Sequence, residues 1–238
     1  MKIKNVLVSQ PKPAEVEKSP YYILARKYKV SIDFHKFIRI EGVKAVDFRK
    51  DRIAILDHTA VIFTSRNAVD HFFRLSKEMR AEIPDTMKYF CVQYRKRKIF
   101  YGRQNFDQLL EIIVKHKSEY FLLPSSDVSE KDLSVVLDEN NIKHSKAVMY
   151  QTVANDLSDV DIDKYDLLVL FSPSGVKSLV SNFPNYKQGE ALISAFGPST
   201  CKAVEEAGLK LSIKAPTKTA PSMTMALEQY IETLMKAK

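Results

Sequence analysis

At 238 residues the chain is long enough for one large or two small domains, and 45% hydrophobic with 28% charged residues excludes a disordered or fibrous class. The formal charge of +8, from 37 Lys and Arg against 29 Asp and Glu, predicts attraction of an anionic partner. The two cysteines, Cys91 and Cys201, lie far apart without metal-ligand spacing, which argues against a disulfide framework or a zinc cluster and for two reduced thiols.

The chain opens with a lysine-punctuated strand, 6–9, and residues 1–11 are too short and too polar for a signal peptide. No apolar run approaches the length that spans a bilayer, so the expectation is a cytoplasmic protein with no membrane partner. A long, polar, alternating segment follows at 31–40, then a strand at 60–64 and a helix at 67–77. Next come a strand at 88–92, a helix at 106–116, a strand at 120–123 and a helix at 129–140. A second long alternating segment occupies 143–153. The remainder reads as strand 167–171, helix 174–182, strand 192–196, helix 199–207 closed by Gly208, and helix 222–235.

Apolar strands alternating with amphipathic helices give an α/β fold with parallel sheets, the strands buried on both faces. The two long alternating segments fit a pair of linker strands: the chain leaves a first lobe through one and returns through the other. The expected boundaries are 1–36 with 152–238 for the first, discontinuous lobe, 41–147 for the second, and 37–40 with 148–151 for the linker. A weak internal repeat points the same way. Ile62-Phe63-Thr64-Ser65-Arg66-Asn67-Ala68-Val69 aligns without gaps on Val169-Leu170-Phe171-Ser172-Pro173-Ser174-Gly175-Val176, with Ser65 matching Ser172 and Val69 matching Val176.

Ligands of open parallel sheets collect at the carboxyl ends of strands, where the next helix offers unpaired N–H groups and the positive end of its dipole. Small polar residues stand at five such ends: Ser9-Gln10, Thr64-Ser65-Arg66-Asn67, Pro124-Ser125-Ser126-Asp127, Ser172-Pro173-Ser174-Gly175 and Gly197-Pro198-Ser199-Thr200. Each taken singly is a helix cap, the preferred place for Ser, Thr, Asn and Asp. Five together predict a surface that grips several carboxylates through backbone amides and hydroxyls. Arg66 is the permanent cation among these loops, suited to clamping a carboxylate or, more simply, to solvation at a helix start.

Phe63-Thr64-Ser65 with Ala68-Val69, Phe171-Ser172-Pro173-Ser174-Gly175-Val176 and Phe196-Gly197-Pro198-Ser199-Thr200 together resemble the recurring motifs of uroporphyrinogen-III synthases, and Tyr150-Gln151-Thr152 resembles that family's tyrosine-containing linker strand. Order and spacing agree over nearly the whole chain. The resemblance implies two flavodoxin-like lobes joined by a two-stranded ladder, and a cofactor-independent lyase of tetrapyrrole (haem) biosynthesis. Its substrate is hydroxymethylbilane, closed to uroporphyrinogen III with inversion of the terminal pyrrole through a spiro intermediate. It implies Tyr150 as the proton donor, against the plainer role of a packing aromatic. It also implies substrate binding by Ser65, Ser172, Ser174, Gly175, Gly197, Pro198, Ser199 and Thr200, to which the strand-end reading adds Arg66, Asn67, Ser125 and Ser126. The partner is then a polycarboxylate tetrapyrrole, taken by a monomer in transient hand-over from the preceding enzyme.

His35, His58, His71, His116 and His144 show no mutual spacing that suggests a metal, so structural or surface roles are expected and no metal or cofactor is assigned. After the strand at 88–92 the family continues into a small-residue turn carrying a threonine and then a helix. Here Gln93-Tyr94-Arg95-Lys96-Arg97-Lys98 follows at once, so that helix and threonine lack a counterpart. A basic run without interleaved stacking aromatics is a weak nucleic-acid signal, and no nucleic-acid partner is expected. A non-catalytic two-lobed metabolite-binding protein is the alternative, since fold alone does not fix function.

Overall fold

Parallel strands set the architecture. The structure, a computed structural model, describes residues 3–91, 99–101, 106–128 and 133–236. In chain order the described elements are β1 (Asn5–Val8), α1 (Pro20–Tyr28), β2 (Ser31–Phe34), β3 (Ile38–Gly42), α2 (Ala45–Phe48), β4 (Ala60–Phe63) and α3 (Arg66–Glu78). They continue with β5 (Lys88–Cys91), β6 (Ile99–Tyr101), α4 (Phe106–Val114), β7 (Phe121–Ser126), α5 (Leu133–Glu139) and β8 (His144–Ala154). The last are β9 (Leu167–Leu170), α6 (Pro173–Asn182), β10 (Leu192–Phe196), α7 (Pro198–Glu206), β11 (Leu211–Ala215) and α8 (Met223–Lys236). The chain divides into two compact units, Met1–Arg39 with Val153–Lys238, and Ile40–Thr152.

The first unit holds a five-stranded sheet of order β11-β10-β9-β1-β2, with every neighbouring pair parallel. Numbered within the unit, that order is 2-1-3-4-5, the flavodoxin-like arrangement, and its direction of winding reverses between β1 and β9. Period-2 geometry sends alternate residues of each strand to opposite faces. Val6, Val8, Leu167 and Val169 pack with Leu24 of α1 and Leu227 and Ile231 of α8, while Leu7, Leu168 and Leu170 pack with Val176 and Leu179 of α6 and Val204 of α7. Both faces are covered, which is why these strands are apolar throughout.

The second unit carries a six-stranded sheet of order β3-β8-β7-β4-β5-β6, parallel at β4/β5, β4/β7, β5/β6 and β7/β8. Val61, Phe63 and Leu122 face Ala68, Phe72 and Leu75 of α3; Ala60, Ile62, Phe121 and Leu123 face Leu109 and Ile113 of α4 and Leu137 of α5. Winding reverses between β4 and β7.

Several expectations are corrected. The segment 31–40 is two strands, β2 in the first sheet and β3 in the second, interrupted where Phe37 turns inward. The Phe37 carbonyl is bound by the Ser178 hydroxyl and the Asn155 N–H, so the chain is pinned at the interruption. Helix α1 and strand β11, neither expected, complete the first unit. The helix expected at 129–140 is described from Leu133. The basic run Arg95 to Lys98, and the turn where the family helix and threonine would lie, fall outside the described residues.

Candidate functional site

In the second unit the reversal between β4 and β7 brings together the carboxyl ends of those strands, the place where an α/β sheet opens a crevice. A recess of about 100 Å³ lies there, its polar lining Thr64, Ser125, Ser126, Lys146 and Tyr150 and its apolar lining Leu123, Pro124, Val128 and Leu133. Ser65 is the N-cap of α3, its extended backbone allowing its oxygen to accept from the Ala68 N–H at 3.1 Å. The same oxygen lies 3.1 Å from the Tyr150 hydroxyl. A serine oxygen that accepts from Ala68 still has its own proton to donate, so Ser65 can donate to Tyr150 and leave the phenol proton free for a ligand. Tyr150 is 7% exposed, packed into the core and lining the recess.

Ser125 and Ser126 are the last residues of β7. The Ser125 hydroxyl donates to the Ala147 carbonyl at 3.3 Å, and Ser126 donates to Asp127 at 2.9 Å while accepting from the Val128 N–H at 3.3 Å. Asp127 in turn accepts from the Thr152 N–H at 3.0 Å, tying the end of β7 to β8. Arg66 points to solvent with its side chain 93% exposed, 3.7 Å from Asp70, and Asn67 beside it is exposed.

In the first unit the equivalent reversal lies between β1 and β9. Ser172 caps α6, accepting from the Gly175 N–H at 3.0 Å, the same bond Ser65 makes in the aligned repeat. A Cβ at Gly175 would lie 3.4 Å from the Ser172 oxygen and 3.9 Å from that of Ser9, so two hydroxyls from the two strand ends converge beside this buried backbone. Ser174 follows on the first turn, half-buried. No described helix starts directly after Ser9-Gln10; α1 begins only at Pro20, so that strand end brings a hydroxyl without a helix dipole. One strand further, Gly197 caps α7 at φ +88° with Pro198 at N1, and its N–H is held by the Ala215 carbonyl at 2.6 Å. Thr200 is 1% exposed, so Ser199 is the exposed residue of the pair at this helix start.

Burial pushes the Cys91 thiol up to about 11 and raises that of Cys201, which makes both poor nucleophiles. Among the described residues no group of three His, Cys, Asp or Glu side chains is placed to hold a metal ion, and no helix is long and apolar enough to cross a membrane. Lys146 in the recess and His71 stacked on Tyr150 were not marked by sequence reasoning. The register of β8 shifts between Val148 and Tyr150, so that Ala147, Met149 and Tyr150 all pack in one core, and simple alternation could not have placed Lys146 beside Tyr150; nothing in the sequence announces the stack either.

The sequence profile of the family described as uroporphyrinogen-III synthase HemD matches residues 32–225. No curated protein matches the chain in sequence. Among solved structures, uroporphyrinogen-III synthetase from Helicobacter pylori 26695 is 14% identical with a TM-score of 0.59, covering 97% of this chain and 100% of that one. A mutant uroporphyrinogen III synthase from the extremely thermophilic bacterium Thermus thermophilus is also 14% identical, with a TM-score of 0.51 over 98% and 99% of the two chains. At this identity the likeness is one of fold, that of two lobes built on parallel sheets.

Proposed function

The chain belongs to the uroporphyrinogen-III synthase family, and on that premise we propose how its residues carry out the reaction. The protein closes hydroxymethylbilane to uroporphyrinogen III, and a non-catalytic binding role is not favoured. Departure of the substrate hydroxyl is the step that calls for an acid. Tyr150 supplies that proton, so the hydroxyl leaves as water and an azafulvene remains. The substituted carbon of the terminal pyrrole attacks it; the spiro intermediate fragments, and the released ring closes through its unsubstituted carbon. The proton lost there restores the phenol. Loss of water with ring closure makes the enzyme a cyclising hydro-lyase.

The single observation that carries the acid assignment is the 3.1 Å contact between Ser65 and Tyr150, the latter a lining residue of the recess. A proton donated from Ser65 to the phenol oxygen orients that hydroxyl and leaves the phenol's own proton to go to the leaving group, which supports the acid role. Carboxylates are received by hydroxyls and helix-start N–H groups: Ser65, Arg66, Asn67, Ser125 and Ser126 in one unit, and Ser172, Ser174, Gly175, Gly197, Pro198, Ser199 and Thr200 in the other. Thr200 serves through its N–H, and Pro198, lacking one, by fixing the first turn of α7. The protein then works as a cytoplasmic monomer that takes its substrate in transient hand-over from the preceding enzyme.

Replacing Tyr150 by Phe tests the assignment. General acid catalysis is worth about 10²-fold or more, so kcat falls by about that factor with KM little changed. An unchanged kcat reduces Tyr150 to a packing residue.

A further inference from the structure

Two residues that the proposed chemistry does not use, His71 and Arg74, hold the Tyr150 ring and the backbone before it. His71, on α3, stacks on it with ring centroids 5.3 Å apart and planes 19° from parallel. Arg74 donates from Nε to His71 Nδ1 at 3.1 Å. An imidazole nitrogen that accepts from a guanidinium carries no proton, so His71 is held as the neutral tautomer with its proton on Nε2. Burial, and then the charge of Arg74, depress its pKa, with Asp70 and Glu78 pulling weakly the other way. Arg74 also donates from Nη2 to the carbonyls of Val43 at 2.8 Å and Met149 at 3.3 Å, the latter directly preceding Tyr150. The Met149 carbonyl accepts from the Val43 N–H as well, at 3.0 Å, so the backbone before the phenol is fixed from two sides. Glu78 takes Nη1 at 2.8 Å and completes the fork. Gly42 makes the arrangement possible, since a Cβ there would lie 2.6 Å from the guanidinium carbon.

We infer that His71 and Arg74 are positioning residues for the Tyr150 phenol, acting through it on the loss of the substrate hydroxyl; the inference rests on the acid role proposed above. Stacking fixes one face of the ring, the Ser65 contact fixes the hydroxyl, and Arg74 fixes the backbone from which the ring projects.

The test is a kinetic cycle on the full chain with hydroxymethylbilane, comparing wild type, H71L, Y150F and the double variant, together with R74K and G42A. H71L lowers kcat by about 5–10-fold with KM within about 2-fold, and adds nothing to Y150F, because a residue acting through the phenol has nothing to position once the hydroxyl is gone. R74K keeps the charge but cannot reach His71 and two carbonyls at once, and G42A displaces the guanidinium; both reproduce the H71L loss. Nitrogen-15 histidine spectra show His71 as the Nε2–H tautomer in wild type and in Y150F, and not in R74K. A slow Y150F beside a wild-type H71L overturns the positioning role and leaves the acid in place. An unaffected Y150F overturns the acid role, and a slow H71L in that case shows the histidine acting by another route, which overturns this inference too. Additive losses in the double variant, or a mixed-tautomer His71 in wild type, contradict it equally.

Discussion

Ser65 and Ser172 occupy the same place in the two units: each ends an extended stretch after an apolar strand and closes the first turn of the next helix, at 3.1 and 3.0 Å. That equivalence was legible in the sequence, because a cap depends only on residues three apart. The contact between Ser65 and Tyr150 was not, since it joins residues 85 apart and requires the register of β8 against β7 and β4. Gly197 belongs to the legible kind, and its φ of +88° with ψ of 150° shows why glycine stands there. No heavy atom beyond its chain neighbours lies within 4 Å of a Cβ built at Gly197, so Gly197→Ala meets backbone strain without a clash. Its cost is about 1–3 kcal/mol, read as a lowered urea midpoint at constant slope. A midpoint within error of wild type would mean that the α7 start relaxes freely.

Among elements, the strands buried on both faces announced themselves by continuous apolar runs, and β10 ends where its hydropathy does. Helix α1 did not, because Leu24 is the only one of its nine residues that is buried, although Ser19 as N-cap before Pro20 is a start signal that local reading can use. Strand β11 was missed for a related reason: Lys214 is exposed between buried Ile213 and Ala215, so the strand has no unbroken apolar run. The long stretch 31–40 misled because composition cannot show that the chain changes sheets at Phe37. Tethers between elements carry a pH signature. Lys88, at the start of β5, holds Glu119, just before β7, and its hydrogen bond, followed by that of Thr59, keeps the Glu119 carboxyl below its ordinary value. The stabilisation is therefore present above the ordinary carboxyl pKa and is lost as pH falls through the lowered one. Lys88→Met costs about 0.5–1 kcal/mol at neutral pH, allowing for the half-exposed lysine, and the difference from wild type in urea unfolding closes as pH drops below about 4. A gap that stays constant down to about pH 3, below the ordinary carboxyl range, would assign the loss to packing.

Across the whole molecule, the formal charge of +8 and the helix starts and strand-end hydroxyls in both units make a protein suited to a flexible polyanion. Both units wind so that their direction reverses beside predicted binding loops, at β4/β7 and at β1/β9. Composition and periodicity supplied the parallel α/β class; the ordered motifs supplied the family, which the match over 32–225 establishes. Side-chain placement around Tyr150 came only with three-dimensional register. A synthase of this family must direct ring closure to the inverted isomer. The direct measurement is to incubate the purified protein with hydroxymethylbilane, oxidise the products and resolve the type I and type III porphyrins. Type III is then the dominant product, with type I confined to the level of spontaneous closure. Type I alone, at the rate seen without protein, would contradict it.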